Sequence, residues 1–197
     1  MRTVAALYVE AGGVYYALEG VDPWPVIRDA RLYSGPHPVV AHPPCQRWGR
    51  YASGGPNASF YRRTGDDGRC FELALDAVRR FGGVLEHPAG SKAWERYGLS
   101  RPVAAGGWSI ADAFGWTCSV AQGNYGHKAN KSTWLYLVGR NPPPELTWGK
   151  SGARGLIDKH SYEKYPDGVF ELTSKEATAT PIEFAKLLIE LARGCKC

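Results

Sequence analysis

The chain is short of the features that would mark a secreted or membrane protein. Cysteine is scarce and irregularly placed: five in 197 residues, at positions 45, 70, 118, 195 and 197. An odd count without framework spacing fits reduced thiols better than disulfides. The amino-terminal stretch MRTVAALYVEAGG carries one positive charge and a short apolar run broken by Glu10, which suits neither a secretory signal nor a membrane span. The expected compartment is therefore the cytoplasm, with no membrane partner. There is no internal repeat and no low-complexity segment. Acidic residues are outnumbered, 19 against 24 Lys and Arg, and with a pI near 9.0 a polyanionic partner is plausible without being demanded.

What is present is a set of short strand-like runs ending in chemically useful side chains. A length of 197 residues suits one domain spanning 1–197, with 145–172 expected as an irregular excursion within it. Around Pro38 to Arg50, PVVAHPPCQRWGR, the residues Val39, Val40 and Ala41 read as the end of a buried strand, which Pro43 and Pro44 stop. Cys45 is thereby placed at a strand's carboxyl end, where open α/β sheets put their ligands. Arg47, Trp48, Arg50 and Tyr51 follow, then a glycine-rich polar stretch to Arg69 that reads as a long surface loop able to close over a site. A thiol beside guanidinium groups suits a nucleophile; a small buried hydrophobe is the plainer reading of the same cysteine.

Before this stretch, Thr3 to Val9 is strand-like, and Ala11-Gly12-Gly13 is a turn before Val14 to Leu18. Two readings compete: an N-terminal β-hairpin, or a strand feeding a glycine-rich loop and a helix. Spacing favours the hairpin. Pro23 to Pro36 reads as loop. Beyond the cysteine, Cys70 to Phe81 places Phe71, Ala74, Leu75 and Val78 on one helical face and stops at Gly82-Gly83. Val84 to Pro88 is a short buried strand carrying Glu86, so strand, loop, helix and strand make a parallel crossover unit. Ser91 to Leu99 reads as a short helix, Trp116 to Val120 and Ser132 to Val138 as strands. The chain ends in a helix with Thr180 as N-cap and Pro181 as first helical residue.

Three features thus recur at strand ends: Pro44-Cys45-Gln46, Glu86, and Asn124-Tyr125-Gly126 with Lys131. HPPCQ at 42–46, LEHP at 85–88 and GWTCSVAQGNYGHKANKSTWLYLVG at 115–139 resemble, in order and interval, the Pro-Cys-Gln, Glu-Asn-Val and Tyr-Gly-Val-Pro-Gln-x-Arg-x-Arg motifs of the DNA cytosine-5 methyltransferases. The resemblance covers residues 39 to 139. It implies an α/β fold, a reduced Rossmann-like, methyltransferase-like and mostly parallel sheet with flanking helices. It also implies attack of Cys45 on C6 of a pyrimidine with Glu86 at the ring edge, and a positive charge from Lys131 or Lys128 in place of the family's arginines. DNA would be held by Gln46, Arg47, Arg50, Arg62, Arg63, Asn124 and Lys128. S-adenosylmethionine would be held by Tyr8, Gly12, Gly13, Asp22 and Pro44, with methyl transfer as the default reaction.

This sequence departs from the pattern in named places. Glu10 stands where the first glycine of the family's cofactor loop belongs, and Glu86 is followed by His-Pro instead of Asn-Val. Thirty-one residues separate Gly13 from Cys45, about half of what a strand-helix-strand cofactor half usually occupies. Two alternatives therefore stand beside methylation: pyrimidine modification without that donor, and a phage-type nucleic-acid-binding or host-interaction protein without turnover. His42, His87 and His127 flank the three motifs and raise a rival zinc site with Cys45, less favoured because no pair has local zinc-ligand spacing. Trp48, next to the cysteine, suits either a base-stacking platform or the core.

Overall fold

A computed structural model describes residues 1–49, 52–53, 63–157 and 167–195. Arg50, Arg62 and Cys197 lie outside the described residues, as do most of the expected closing loop and residues 158–166 of the excursion. Seven strands form one sheet in the order β2-β1-β3-β4-β7-β6-β5. They are β1 (Val4–Leu7), β2 (Val21–Trp24), β3 (Val39–Ala41), β4 (Gly83–Pro88), β5 (Ser109–Ile110), β6 (Gly115–Ala121) and β7 (Ser132–Val138). The first four run parallel, while β7 is antiparallel to both β4 and β6, and β5 is antiparallel to β6. The protein is an α/β structure with a mixed sheet and helices on both faces.

The faces follow from side-chain alternation along the strands. Leu7, Val39, Ala41, Leu85 and Tyr136 point to the side of α1 (Cys70–Phe81), where Phe71, Leu75 and Val78 meet them. Val4, Ala6, Val40, Val84 and Leu135 point to the side of α4 (Ile182–Arg193), against Phe184, Leu188 and Ile189. Both helices span twelve residues and are apolar on the face they bury, so tertiary packing more than intrinsic propensity holds them. A short helix α2 (Lys92–Arg96) occupies the centre of the expected 91–99 helix, capped by Ser91, which accepts from Ala93 N–H. β4 begins in very close approach to β3: a Cβ at Gly83 would lie 2.0 Å from the Val39 carbonyl oxygen, at φ +126°.

Two expectations are overturned at the amino terminus. Gly12-Gly13 does not turn a hairpin: Val14–Ala17 is one 3-10 turn, and the strand beside β1 is Val21–Trp24, running parallel with Val4 opposite Val21. Tyr15, 3% exposed, is the reason, because its ring drops into the α4-side core and carries the segment off the sheet. The loop expected from Pro23 accordingly starts inside β2. Pro23 is tolerated there because β2 is an edge strand and one side of it needs no ladder donor.

The carboxyl-terminal cap also differs. Pro181, extended at ψ 149°, is the N-cap, and α4 begins at Ile182. Thr180 is not the cap, because the preceding residues belong to a further short helix, α3 (Ser174–Thr178), closed by a capping box between Thr173 and Glu176. In the excursion, Gly155–Leu156 (β8) and Phe170–Glu171 (β9) pair as a small parallel ladder.

The sheet's order places the site. From β1 the chain goes to β2 on one side, and β3 then returns on β1's other side, so the direction of winding reverses between β1 and β3. In open α/β sheets that reversal opens a crevice at the carboxyl ends of the strands. The antiparallel β7 starts at this same end, since Pro88 pairs with Thr133 and Ala121 with Ser132.

Candidate active site

All three sequence motifs reach this end of the sheet. Alternation along β4 sends Val84 to the α4 side and Leu85 to the α1 side, hence Glu86 to the α4 side and His87 to the α1 side. Glu86 thus lies within the strand, not at its last residue. His42 follows β3, whose Ala41 is in register with Leu85, and so comes beside Glu86.

Glu86 is the hub of a polar chain. Its Oε2 accepts from His42 Nδ1 at 2.9 Å, and its Oε1 accepts from Gln122 Nε2 at 3.2 Å. His42 Nε2 meets the Tyr15 hydroxyl at 2.6 Å, and Gln122 Nε2 also donates to Thr133 Oγ1 at 2.8 Å. The carboxylate side chain is 12% exposed and the imidazole 14%. Burial works to raise the Glu86 pKa, but the His42 hydrogen bond, with the positive charge of nearby groups including Lys131, outweighs it and holds the carboxyl below its usual range. Burial and the Glu86 charge hold the Tyr15 phenol well above its ordinary value. With Glu86 ionised, Nδ1–H donates to the carboxylate, and Nε2 lies within hydrogen-bond distance of the Tyr15 hydroxyl, which can donate to it when the imidazole carries a single proton.

Cys45 is half-buried and free. Burial pushes its thiol up, the Glu86 charge pushes it further, and a backbone hydrogen bond and Lys131 pull against both. Lys131 in turn is lowered by burial and held up by Glu86 and Cys45. Cys45, Glu86 and Lys131, from three separate stretches, therefore lie within electrostatic reach of one another. The expectation that arginines near Cys45 would lower its thiol is not met among the described residues: the thiol is raised, and the charge it feels most there is the negative one of Glu86.

The turn that carries Cys45 is held from below. Trp48 N–H donates to the Cys45 carbonyl at 2.9 Å, the Trp48 carbonyl accepts from Lys92 N–H at 3.0 Å, and the indole Nε1 donates to Asp67 Oδ2 at 2.8 Å. The Trp48 ring is 2% exposed and packs on Phe71 and Tyr97, so it is a core anchor and not a stacking platform. His87 braces the same turn from β4. It is 1% exposed, its Nδ1 bonds Ser91 Oγ at 2.7 Å, and its ring lies against the carbonyls of Pro43 and Pro44 with Nε2 in no formed hydrogen bond. Burial pushes its pKa down to about 4, so it is neutral at physiological pH.

The remaining expected residues divide. Lys131, at φ 36°, donates to the carbonyls of Thr178 and Ala179 at 3.2 and 3.0 Å, so its ammonium sits at the end of α3. Lys128 pairs with Glu176 at 2.6 Å, and His127 bonds Ala129 and the Glu176 carbonyl. These two tie α3 to the loop before β7. Asn124 donates to the Gly149 carbonyl and braces the excursion. Pro44, Gln46 and Arg63 are exposed, and Arg47 is half-buried with Nη1 unpartnered. The three histidines go to separate partners, and among the described residues no three metal-ligating side chains gather.

On the cofactor side the fit is mixed. Gly12, at φ +69°, has open space where a Cβ would stand, beside the β1–β3 reversal, and the Tyr8 hydroxyl is buried without a partner. Asp22 does not fit a ribose ligand, because its carboxylate is taken by Arg28 and by the Trp24 indole. A surface cleft of about 470 Å³ lies elsewhere, at the far end of the sheet between Ile110, Phe114 and Arg140. Its one carboxylate, Asp112, is committed to Arg79 and Tyr136.

Sequence reading alone missed Tyr15 and Gln122. Gln122 had a weak signal in lying at the end of a strand-like run; Tyr15 had none, because its role depends on a contact across twenty-seven residues. Against known family patterns, curated proteins and solved structures the chain finds no match. Fold and geometry together define an α/β protein whose mixed seven-stranded sheet presents a thiol, a buried carboxylate and an amine at one end.

Proposed function

We propose that the chain modifies a pyrimidine base in DNA, in the manner of the cytosine-5 methyltransferases it resembles. The observation that carries this reading is that Cys45 follows β3, Glu86 lies on β4 and Lys131 precedes β7, all at the reversal end of the sheet, with Cys45 and Lys131 each feeling the Glu86 charge. A thiol that stays protonated in the free protein suits conjugate addition if its proton has somewhere to go. Glu86 is that acceptor. The sulfur electron pair forms the S–C6 bond, the C5=C6 pair moves toward C4, and N3 gains electron density and takes the proton from Glu86. Lys131 offsets negative charge beside the base.

S-adenosylmethionine, when bound, supplies the methyl group for C5. Tyr8 and the Gly12-Gly13 turn would hold it, with Pro44 at the crevice wall, and Asp22 would not take part unless Arg28 releases it. That ion pair favours a second reading, addition to the pyrimidine without this donor.

The test is incubation with labelled S-adenosylmethionine and DNA containing 5-fluorocytosine. A covalent adduct that needs the donor and is lost in Cys45→Ser supports methylation, and an adduct formed without the donor supports the second reading. Salt-sensitive DNA binding with no adduct, unchanged by Cys45→Ser, would leave a binding protein and end both.

A further inference from the structure

Beyond the thiol and the carboxylate, the site contains two side chains, Tyr15 and His42, whose polar partners among the described residues are each other and Glu86. Tyr15 comes from the 3-10 turn after β1, His42 from the end of β3 and Glu86 from β4, so three elements converge to build one hydrogen-bonded line. The line is 2.6 Å from phenol to imidazole and 2.9 Å from imidazole to carboxylate. Tyr15 is 3% exposed and its ring lies 5.4 Å from the imidazole, so both are held by packing as well as by hydrogen bonds.

We propose that Tyr15 and His42 are positioning residues for Glu86: the buried phenol locks His42 as its Nδ1–H tautomer, and that N–H holds the carboxylate ionised and oriented toward the Cys45 turn. This rests on the reading of Cys45 and Glu86 as the reacting pair. Its consequence is that the two share one proton. In the free protein the proton sits on sulfur; when Glu86 takes it, the negative charge that opposes thiolate formation disappears from the carboxylate and appears on sulfur. An orienting group of this sort sets which nitrogen of a histidine is available, as the third member of a catalytic triad does.

Among the described residues, the charged and titratable groups around Glu86 are His42 after β3, Tyr15 from the 3-10 turn, Cys45 from the following turn, His87 on β4 itself and Lys131 before β7. His87 is neutral above about pH 4. Lys131 is tied to the carbonyls of Thr178 and Ala179 and keeps its place when His42 is changed. His42 is therefore the donor whose removal Glu86 should feel most.

The experiment uses the full chain without DNA or donor. Nitrogen-15 shifts of labelled histidine report the His42 tautomer, and carbon-13 shifts report the titration of the Glu86 carboxyl. The wild type should show His42 protonated at Nδ1. In His42→Ala the Glu86 carboxyl should bind its proton about tenfold more tightly, a shift of about one pH unit. In His42→Asn, whose side-chain N–H can replace Nδ1–H, most of that shift should be absent. Tyr15→Phe should leave the fold in place and give His42 a mixture of tautomers. Glu86→Gln should lower the pH midpoint of Cys45 alkylation by iodoacetamide by about one unit.

An unmoved Glu86 titration in His42→Ala, an Nε2–H tautomer in the wild type, or an unmoved Cys45 midpoint in Glu86→Gln overturns the proposal. If these shifts appear in a protein that forms no adduct with 5-fluorocytosine DNA, the line of residues stands and the proposed reaction falls. Adduct formation without the shifts removes the positioning role alone.

Discussion

Replacing Asp67 by alanine takes away the single oxygen, Oδ2, that accepts both the Trp48 indole N–H at 2.8 Å and the Phe71 backbone N–H at 2.9 Å. The first bond pins the turn bearing Cys45, and the second caps the first turn of α1, whose N-cap residue Arg69 makes no side-chain capping bond. Because Trp48 is 2% exposed, its N–H would lose its partner without gaining water, at a cost of ~1–3 kcal/mol. Losing the cap costs about 1 kcal/mol more. The sum, roughly 2–4 kcal/mol, corresponds to a fall in Tm of roughly 5–15 °C for a domain of this size. Asp67→Asn should be near neutral, since one amide oxygen can accept both bonds as Oδ2 now does, and the displaced Oδ1 has no hydrogen-bond partner to lose. Thermal unfolding followed by circular dichroism measures both variants. An alanine variant within about 0.5 kcal/mol of wild type, or an asparagine variant as damaged as alanine, would refute the claim that this carboxylate anchors the Cys45 turn through Trp48.

Other outcomes follow from single contacts. His87 has a folded pKa of about 4, below its unfolded value of about 6.5. The unfolded chain therefore binds the extra proton first as pH falls, and about 3 kcal/mol of stability should drain away between those two values; denaturant midpoints against pH should show a slope there that His87→Gln lacks. Gly83→Ala places a Cβ against the Val39 carbonyl at a positive φ, and should cost more than about 2 kcal/mol in urea unfolding, or prevent folding. Lys128→Ala removes only an exposed pair with Glu176, so the urea midpoint should move by less than about 1 kcal/mol equivalent.

The parts of the fold that could be read in the sequence were those where local pattern and tertiary packing agree. Cys70 to Phe81 is a helix on both counts, because the same residues that repeat every three or four positions also face the sheet. Val39 to Ala41 and Val84 to Pro88 are strand runs bounded by proline and glycine, and the order of Cys45 and Glu86 along the chain came with them, although Glu86 lies inside its strand and not at its end. Val14 to Ala17 misleads because Val-Tyr-Tyr has strand composition, yet burial of Tyr15 off the sheet decides its conformation. The helix α3 had a local signature in Thr173-Ser-Lys-Glu176, a capping box, directly after the stretch 145–172 that lacks periodicity. Asp22 at the start of β2 looked available, and only three-dimensional folding reveals that Arg28 returns to it across six residues. The line from Tyr15 through His42 to Glu86 spans separations of twenty-seven and forty-four residues, a distance over which no periodicity speaks.

Mass spectrometry of the protein after exposure to 5-fluorocytosine DNA tests the central claim most directly. A nucleic-acid adduct is expected on a peptide containing Cys45, reduced by at least tenfold in Glu86→Gln because the proton acceptor at the ring edge is gone. Labelling at another cysteine, or full labelling of Cys45 in Glu86→Gln, would contradict it.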